Sequence, residues 1–362
     1  MGHENPFLRE ARNAHKFLTI GEIMLRLAPP NYEKIRMASS FEASYGGSEA
    51  NIALALANLG IDSTFFTVVP NNSLGKSAVR MLRSNDVHCT PVILSTPEQT
   101  PSHRLGIYYL EAGYGIRAGR VIYDRKHSAI AEYDFSSYDF DALLEGFTWL
   151  HLSGITPALS AGCREMVLRC LKGAKEKGIV VSFDGNFRST LWTWEEARDF
   201  CTICLPYVDV LFGIEPYHLW KDEGDHGKGD WKDGMPLQPS YGQQDENFQA
   251  FVRKYPNLKC SARHVRYAHS GSENSLKAYM WYEGHTFESK TFTFHILDRV
   301  GGGDAFASGL VYAIMSHYRP MDMVNFAVAS SALKHTIRGD ANITDDAAAI
   351  RSLVDMSYDI KR

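Results

Sequence analysis

The sequence predicts an α/β fold whose central sheet is mostly parallel and covered by helices on both faces. Short apolar segments typical of buried strands alternate with longer amphipathic segments typical of helices, which implies β-α-β units. Four polar motifs follow predicted strands, and ligands of open parallel sheets bind beyond such strand ends. The composition, 44% hydrophobic and 22% charged over 362 residues, is that of a globular protein with a sizeable core.

The N-terminal half begins with a strand predicted over residues 16–27, which the prolines at 29 and 30 end. A helix opens at Gly46-Gly47-Ser48-Glu49-Ala50-Asn51 and stops at Gly60. Further strands are predicted over residues 61–69, 148–152, 179–184, 208–212, 264–283 and 290–297, and further helices over residues 73–84, 160–177, 195–205, 305–314 and 324–336.

Two segments interrupt this alternation, residues 28–45 and 101–131, and we expect them to form a small β lid outside the main sheet. In the second, residues 104–109 and 120–123 are aromatic and β-prone and are joined by a glycine-rich hairpin, which favours an antiparallel pair. Residues 221–247 are polar and rich in Gly, Asp and Lys, which is typical of a surface insertion.

Charge and hydropathy exclude several classes of partner. The formal charge of −4 disfavours nucleic acid. No apolar run is long enough to cross a bilayer, so no membrane partner is expected. The first fifteen residues are polar and lack the apolar core of a secretion signal, which favours a cytoplasmic protein.

Six cysteines are scattered along the chain, and only Cys201 and Cys204 have the spacing of a metal or redox pair. They fall in an amphipathic segment without a second pair, so we expect buried helix cysteines. The fourteen histidines form no H-E-x-x-H motif, and no zinc site is expected.

The most informative segment is Asp298-Arg299-Val300-Gly301-Gly302-Gly303-Asp304, which precedes a predicted helix. Glycines at a helix start turn several N–H groups toward one point, and the helix N-terminus adds partial positive charge there. Such an anion hole stabilises a transferring phosphoryl group, and a carboxylate beside it is suited to take the proton of an attacking hydroxyl. The same residues also suit a flexible turn with an aspartate cap. The glycine spacing excludes a Walker loop and a dinucleotide fingerprint.

Two motifs make the chain resemble the ribokinase-like (PfkB) carbohydrate kinase family. One is Gly46-Gly47-Ser48-Glu49-Ala50-Asn51, and the other is the glycine run, whose usual form is D-T-x-G-A-G-D. Arg299 and Gly302 depart from that form, whereas the anion-hole glycines and the aspartate are kept. Within the family the sequence is most similar to the 2-keto-3-deoxygluconate kinases, through Tyr123-Asp124-Arg125 and Asp184-Gly185-Asn186-Phe187-Arg188 among other segments.

This resemblance implies one kinase domain over residues 16–350, with a three-layer α/β/α core, a small β-sheet lid, ATP as phosphoryl donor and Mg²⁺. It implies that Asp304 is the general base and that the N–H groups of Gly301, Gly302 and Gly303 form the anion hole. The residues implied to bind substrate are Gly46, Gly47 and Asn51 at the sugar hydroxyls and Tyr108, Tyr123, Arg125 and Arg188 around the acid end. Those assigned to the nucleotide are Asn186, Ser270, Gly271 and Asn342.

The arginines favour a sugar acid on physical grounds as well. A guanidinium group offers a planar fork that matches a carboxylate, whereas a neutral hexose needs hydroxyl partners. Each assignment has an alternative that the sequence leaves open. Arg125 also suits a surface cation of the lid, Arg188 a partner of Asp184, and both tyrosines plain packing in the lid.

The metal side departs from the family. Its usual N-x-x-E motif, which organises magnesium through water, is replaced here by Ile214-Glu215-Pro216-Tyr217. Glu215 is therefore a weak candidate for the metal, and a glutamate at a helix start explains it equally well.

These observations predict an ATP-dependent kinase that phosphorylates the terminal hydroxyl of a sugar acid, with 2-keto-3-deoxygluconate as the expected substrate. The alternatives are a fructokinase or other neutral-sugar kinase of the same fold, and a sugar-binding sensor with impaired catalysis. Because the edges of a small β lid invite pairing with a second copy, a homodimer through the lid is expected.

Overall fold

The computed structural model describes residues 15–213, 231–232, 235–236, 241–343 and 346–355. Its strands are β1 Lys16–Ile20, β2 Met24–Ala28, β3 Glu42–Gly46, β4 Asp62–Phe66, β5 Val68–Pro70, β6 Ile93–Ser95, β7 Gly106–Glu111, β8 Arg120–Asp124, β9 Trp149–Ser153, β10 Val180–Asp184, β11 Val210–Phe212, β12 Trp231–Lys232, β13 Met235–Pro236, β14 Cys260–Ala268, β15 Glu273–Tyr282, β16 His285–Glu288 and β17 Phe292–His295. Its helices are α1 Ser48–Asn58, α2 Ser73–Arg83, α3 Ala129–Glu132, α4 Phe140–Leu143, α5 Ala161–Glu176, α6 Trp194–Cys204, α7 Tyr241–Lys254, α8 Gly302–Met315, α9 Pro320–Lys334 and α10 Ala347–Val354.

The large sheet has the strand order β16-β15-β14-β11-β10-β9-β1-β4, with β17 paired to the other half of β15. From β14 to β4 every neighbouring pair is parallel. Strands β15, β16 and β17 extend the sheet with an antiparallel edge. The predicted, mostly parallel central sheet is therefore confirmed.

Adjacent residues of the central strands face two separate apolar cores. Phe17 belongs to a cluster with residues of α1, α8 and α9, whereas Leu18 belongs to a second cluster with residues of α5 and α6. Strands that are buried on both faces read as continuous apolar runs, which is why these segments resemble parallel strands in the sequence. The predicted three-layer α/β/α arrangement is confirmed.

The lid is a separate four-stranded sheet with the order β3-β2-β7-β8. Strands β7 and β8 are antiparallel, as predicted, and place Tyr108 opposite Tyr123. The single strand expected over residues 16–27 is instead two strands in different sheets, β1 and β2, separated by Gly21-Glu22-Ile23. The apolar pattern continues across this crossing, so periodicity does not reveal it, and the lid begins at Met24 rather than at residue 28.

Glu215, the segment 214–217 and most of the predicted insertion 221–247 lie outside the described residues. Its last part, residues 241–247, forms the start of α7, where Gln244 is buried, so this part packs against the domain. All six cysteines are buried and none forms a disulfide, and Cys201 and Cys204 are buried helix residues as expected. Within the described ranges, no helix has the length and hydropathy needed to cross a membrane.

Candidate active site

A cleft of about 940 Å³ lies between the lid and the carboxyl ends of the central strands. Its walls come from strands β2, β7 and β8 of the lid, from the segments that follow β10 and β14, and from the first turn of α8. This volume is at the upper end of the range for small-molecule sites. The glycine run, Asn51 and Arg188 all line the cleft, so the main sequence motifs meet at one place.

Asp304 lies in the first turn of α8 and is held by two hydrogen bonds from α1. Ser48 Oγ donates to its Oδ1 and Asn51 Nδ2 donates to its Oδ2, each at 2.7 Å. Burial raises the pKa of Asp304, while these two bonds favour the charged form and oppose the rise. The carboxylate is therefore fixed in orientation beside the helix N-terminus, as a general base requires.

The expected anion hole depends on the backbone of Gly301. This residue has φ +79°, the left-handed region that favours glycine, and a Cβ atom there would collide with the carbonyl oxygen of Asp340. Helix α8 starts at the next residue, Gly302, so the N–H groups of its first turn have no partner within the helix. Gly301, Gly302 and Gly303 all line the cleft.

The glycine pair before α1 has two different surroundings. Gly47 lines the cleft, whereas Gly46 does not, and a Cβ atom at Gly46 would meet the Asp340 carboxylate. Asn51 lines the cleft, but its side-chain N–H is already bound to Asp304. The sequence assigned all three to sugar hydroxyls. Gly47 and Asn51 line the cleft, where Asn51 also contacts Asp304, whereas Gly46, outside the cleft, packs against Asp340.

The loop after β10 adds a second carboxylate to the site. Asp184 lies at the end of the strand and accepts a hydrogen bond from the Asn186 N–H at 2.9 Å. Burial, and then the neighbouring Asp304 carboxylate, raises the pKa of Asp184 to about 7. Asn186 lines the cleft, and its Nδ2 donates to Ser48 Oγ at 2.9 Å, which connects it to the hydrogen bonds around Asp304.

Two arginines that the sequence grouped together differ in the structure. Arg125 is 7% exposed and donates from Nε to Glu22 Oε2 at 2.8 Å, with a second bond from Nη2 to the same oxygen. Its guanidinium also lies 5.5 Å from the centre of the Tyr123 ring. Arg188 is exposed in the cleft and has no ion pair with any residue that the structure describes. Glu22 therefore neutralises Arg125, whereas Arg188 is a cation of the cleft without a counter-ion among the described residues.

A buried ionic cluster that the sequence did not reveal connects the lid to the glycine run. Arg26 on β2 donates from Nη1 to Asp340 at 2.7 Å and from Nη2 to Asp298 at 2.5 Å. Tyr108 donates its hydroxyl to the same Asp340, so it packs in the lid and also holds a carboxylate that lines the cleft. Asp298 accepts from the Val300 N–H at 3.2 Å, which fixes the entry to the glycine run.

Ser270 and Gly271, in the loop after β14, line the cleft as expected. The tip of the lid hairpin reaches this loop, because the Gly271 N–H donates to the carbonyl of Gly115 at 2.6 Å. Asn342 does not line the cleft. It is buried, and its Nδ2 donates to Ser330 Oγ at 2.8 Å, so its assignment to the nucleotide is corrected to a packing contact with α9.

Magnesium favours oxygen ligands and is usually held by one or two carboxylates together with phosphates and water. In the part of the chain that the structure describes, no three His, Cys, Asp or Glu side chains come together as metal ligands. The carboxylates of the cleft therefore suit an ion that arrives with the phosphates of a donor rather than one held in a protein cage.

Comparison with known proteins agrees with this geometry. The 2-dehydro-3-deoxygalactonokinase of Haloferax volcanii is 31% identical to this chain over 91% of its length and 94% of the relative. The crystal structure of 2-dehydro-3-deoxygluconokinase from Thermotoga maritima is 36% identical, has a TM-score of 0.84 and covers 94% of this chain and 99% of that one. A putative ribokinase II from E. coli, in complex with ATP and Mg²⁺, shares the fold at a TM-score of 0.73 and 19% identity, over 94% of this chain and 99% of that one. Residues 14–216 match the pfkB family carbohydrate kinases, and the chain belongs to that family.

Proposed function

We propose that this carbohydrate kinase transfers the γ-phosphoryl group of ATP to the terminal hydroxyl of a sugar acid, 2-keto-3-deoxygluconate, to give its 6-phosphate. The observation that carries the proposal is the free Arg188 in the same cleft as the Asp304 base, because a free guanidinium beside a base selects an acceptor with a carboxylate. The names of the Haloferax and Thermotoga relatives support a 2-keto-3-deoxy sugar acid.

The mechanism follows from the contacts of Asp304. The substrate carboxylate binds Arg188, which leaves the terminal hydroxyl near Asp304. The hydroxyl oxygen attacks the γ-phosphorus, the bond from that phosphorus to the bridging oxygen of ADP breaks, and the hydroxyl proton passes to Asp304. The N–H groups of Gly301, Gly302 and Gly303 stabilise the charge that develops on the phosphoryl oxygens. Magnesium, when bound with the donor phosphates, supplies further charge neutralisation.

The lid contributes hydroxyl recognition rather than a carboxylate clamp. Arg125 and Glu22 form a buried neutral pair at the cleft wall, and Glu22 Oε1 is buried without a partner among the described residues. A sugar hydroxyl that donates to this oxygen satisfies it, and buried acceptors favour such a partner. We therefore assign Glu22 and Arg125 to the hydroxyl groups of the sugar and Arg188 to its carboxylate.

A turnover assay tests this proposal. ATP consumption is measured with 2-keto-3-deoxygluconate, its galactonate epimer, gluconate, fructose and ribose, with and without Mg²⁺. We expect turnover of the keto-deoxy acids and little turnover of fructose or ribose. Turnover of fructose without turnover of either keto-deoxy acid would refute the acceptor, and sugar binding without turnover would refute the kinase assignment in favour of a sensor.

One observation favours the second candidate, a kinase of a neutral sugar such as fructose. Because Glu22 neutralises Arg125, this wall of the cleft offers a neutral pair of hydrogen-bonding groups, which suits hydroxyl groups. The two candidates differ in what they require of Arg188. Activity on fructose that is insensitive to Arg188→Ala would support the neutral-sugar kinase.

We also infer that the protein works in the cytoplasm, where ATP is available, and forms a homodimer through the lid. All five residues of the edge strand β8 are exposed, including the apolar Val121 and Ile122. An edge strand with exposed apolar residues invites pairing with a second sheet. A monomeric mass in solution by light scattering would refute the dimer.

A further inference from the structure

Two arginines line the cleft beyond the glycine run, Arg266 at the end of β14 and Arg299 in the segment that leads into Gly301. Both side chains are exposed to the cleft, and neither forms an ion pair with any residue in the described ranges. The more buried Arg26 and Arg125, by contrast, each contact a carboxylate. At this place the cleft thus contains two neighbouring positive charges that no carboxylate of the described residues pairs with.

The two guanidinium groups are near enough to influence each other. The loss of bulk water, and then the proximity of Arg299, lowers the pKa of Arg266 to about 10, so Arg266 stays charged at neutral pH. Like charges held together raise the free energy of the site unless an anion binds there. Guanidinium groups match phosphate oxygens by forked hydrogen bonds, so a ligand with several phosphate groups satisfies both.

Their position separates them from the sugar-acid end. Burial, then the charge of Lys334 and those of the two neighbouring arginines, lowers the pKa of His335 to about 4, and the His335 ring lies beside Gly302. Asp304, in contrast, is bound to Ser48 and Asn51 and is influenced by Arg188. The contacts of Asp304 are thus with α1, whereas the arginine pair neighbours His335 beside Gly302; an in-line transfer places the leaving group opposite the attacking hydroxyl.

We propose that Arg266 and Arg299 bind the polyphosphate chain of the nucleoside triphosphate donor. This inference rests on the proposed kinase function and assigns the donor subsite to residues that the family motif does not mark, since the usual residue at position 299 is threonine. Fixed guanidinium groups then share with the bound metal ion the neutralisation of the donor phosphates. In this assignment Arg188 binds the carboxylate of the acceptor and does not contact the donor phosphates.

The test uses the full chain and isothermal titration with tripolyphosphate in the absence of Mg²⁺. We expect Arg266→Ala and Arg299→Ala each to weaken binding by about tenfold or more, the loss expected for a charge-assisted hydrogen bond. Arg80→Ala is the matched control, because Arg80 is exposed on α2 outside the cleft and should bind as the wild type does. Arg266→Lys and Arg299→Lys keep the charge and should retain part of the affinity, which separates loss of charge from loss of fold.

A second titration with 2-keto-3-deoxygluconate distinguishes the two subsites. We expect its affinity to stay within a few-fold of wild type in the Arg266 and Arg299 variants. Unchanged tripolyphosphate binding, or a loss of sugar-acid binding instead, would overturn the proposal. If the arginine variants lose tripolyphosphate but no sugar acid is turned over by the wild type, the proposed acceptor fails while this subsite stands. If sugar acid is turned over and the KM for ATP is the same in all variants, this subsite fails while the proposed function stands.

Discussion

The acceptor end and the donor end of the cleft differ in how many of their charged groups are paired within the protein. At the acceptor end, Arg125 is bound to Glu22, and the base Asp304 accepts hydrogen bonds from Ser48 and Asn51. At the donor end, Arg266 and Arg299 have no counter-ion among the described residues. At the acceptor end the paired groups hold their geometry without ligand and select a substrate by its hydroxyl pattern, while the exposed Arg188 is left to bind its carboxylate. An end with free cations binds any ligand that supplies enough negative charge.

This difference has a consequence for stability. Removing one partner of a buried ion pair leaves an uncompensated charge, so changes at the acceptor end should destabilise the fold. Removing one of two like charges that face each other relieves repulsion, so changes at Arg266 or Arg299 should leave stability unchanged or raise it slightly. Affinity and stability are therefore expected to respond separately at the two ends.

The largest effect is expected for Asp304→Asn. Loss of the proton acceptor should lower kcat by about 10²–10⁴-fold, because general-base catalysis contributes that much to the transition state. Sugar affinity should change only a few-fold, since the carboxylamide keeps a similar shape. Single-turnover kinetics and equilibrium binding of the sugar acid measure the two effects. A variant that retains at least half of wild-type kcat would refute Asp304 as the base.

The acceptor-end pair is tested by Arg125→Met. This change leaves Glu22, which is 3% exposed, without its cation, and should lower the free energy of unfolding by about 3–5 kcal/mol in urea denaturation. The double variant Glu22→Gln/Arg125→Met should recover much of that loss. Arg299→Ala is the comparison at the donor end and should not destabilise the protein. Equal destabilisation by Arg125→Met and Arg299→Ala would show that Arg299 also has a stabilising partner, contrary to the difference in charge pairing between the two ends.

A smaller effect is expected for Arg188→Ala. It should lower kcat/KM for 2-keto-3-deoxygluconate by about 10–100-fold, the equivalent of a charge-assisted hydrogen bond, and should scarcely change turnover of neutral sugars. Arg188→Lys keeps the charge without the planar fork and should fall between the two. Equal losses on acidic and neutral acceptors would show that Arg188 supports the loop after β10 rather than binding the carboxylate.

The fold and the place of the glycine run at the cleft were accessible from the sequence because their signals are local. The glycine run, Asp304 and the helix that follows are consecutive residues, and the central strands read as apolar runs because both faces are buried. The proposed anion hole and base therefore follow from one short segment and the helix geometry that it implies.

The ionic partners were not accessible, because each pairing joins distant parts of the chain. Glu22 and Arg125 are 103 residues apart, and Arg26 and Asp340 are 314 apart. No local pattern marks which carboxylate meets which arginine. The sequence therefore assigned Arg125 to the substrate without its neutralising partner, and it missed Asp340 altogether. Asn342 was misassigned for the same reason, since its contact with Ser330 depends on the packing of α9.

The subtlest test concerns the pH dependence of the base. The hydrogen bond from Asn51 favours the charged form of Asp304, so Asn51→Ala should raise the pKa of Asp304 further above its ordinary range. Because the base must be ionised, activity is lost as pH falls through this pKa, and the acid limb of kcat/KM should move to higher pH by about one unit. Asn58→Ala, at the other end of α1, is the matched control and should leave the limb in place.

Asp184→Asn should move the same limb in the opposite direction. The pKa of Asp184 is raised to about 7 by burial and by Asp304, so the two carboxylates titrate as a coupled pair with apparent values that belong to both. Replacing Asp184 removes a neighbouring negative charge, which lowers the pKa of Asp304 and shifts the acid limb to lower pH. Opposite shifts in the two variants would locate the titrating base between Asn51 and Asp184. Shifts of the same sign would assign the acid limb to a different group. Asp304 would then not be the base whose ionisation limits activity.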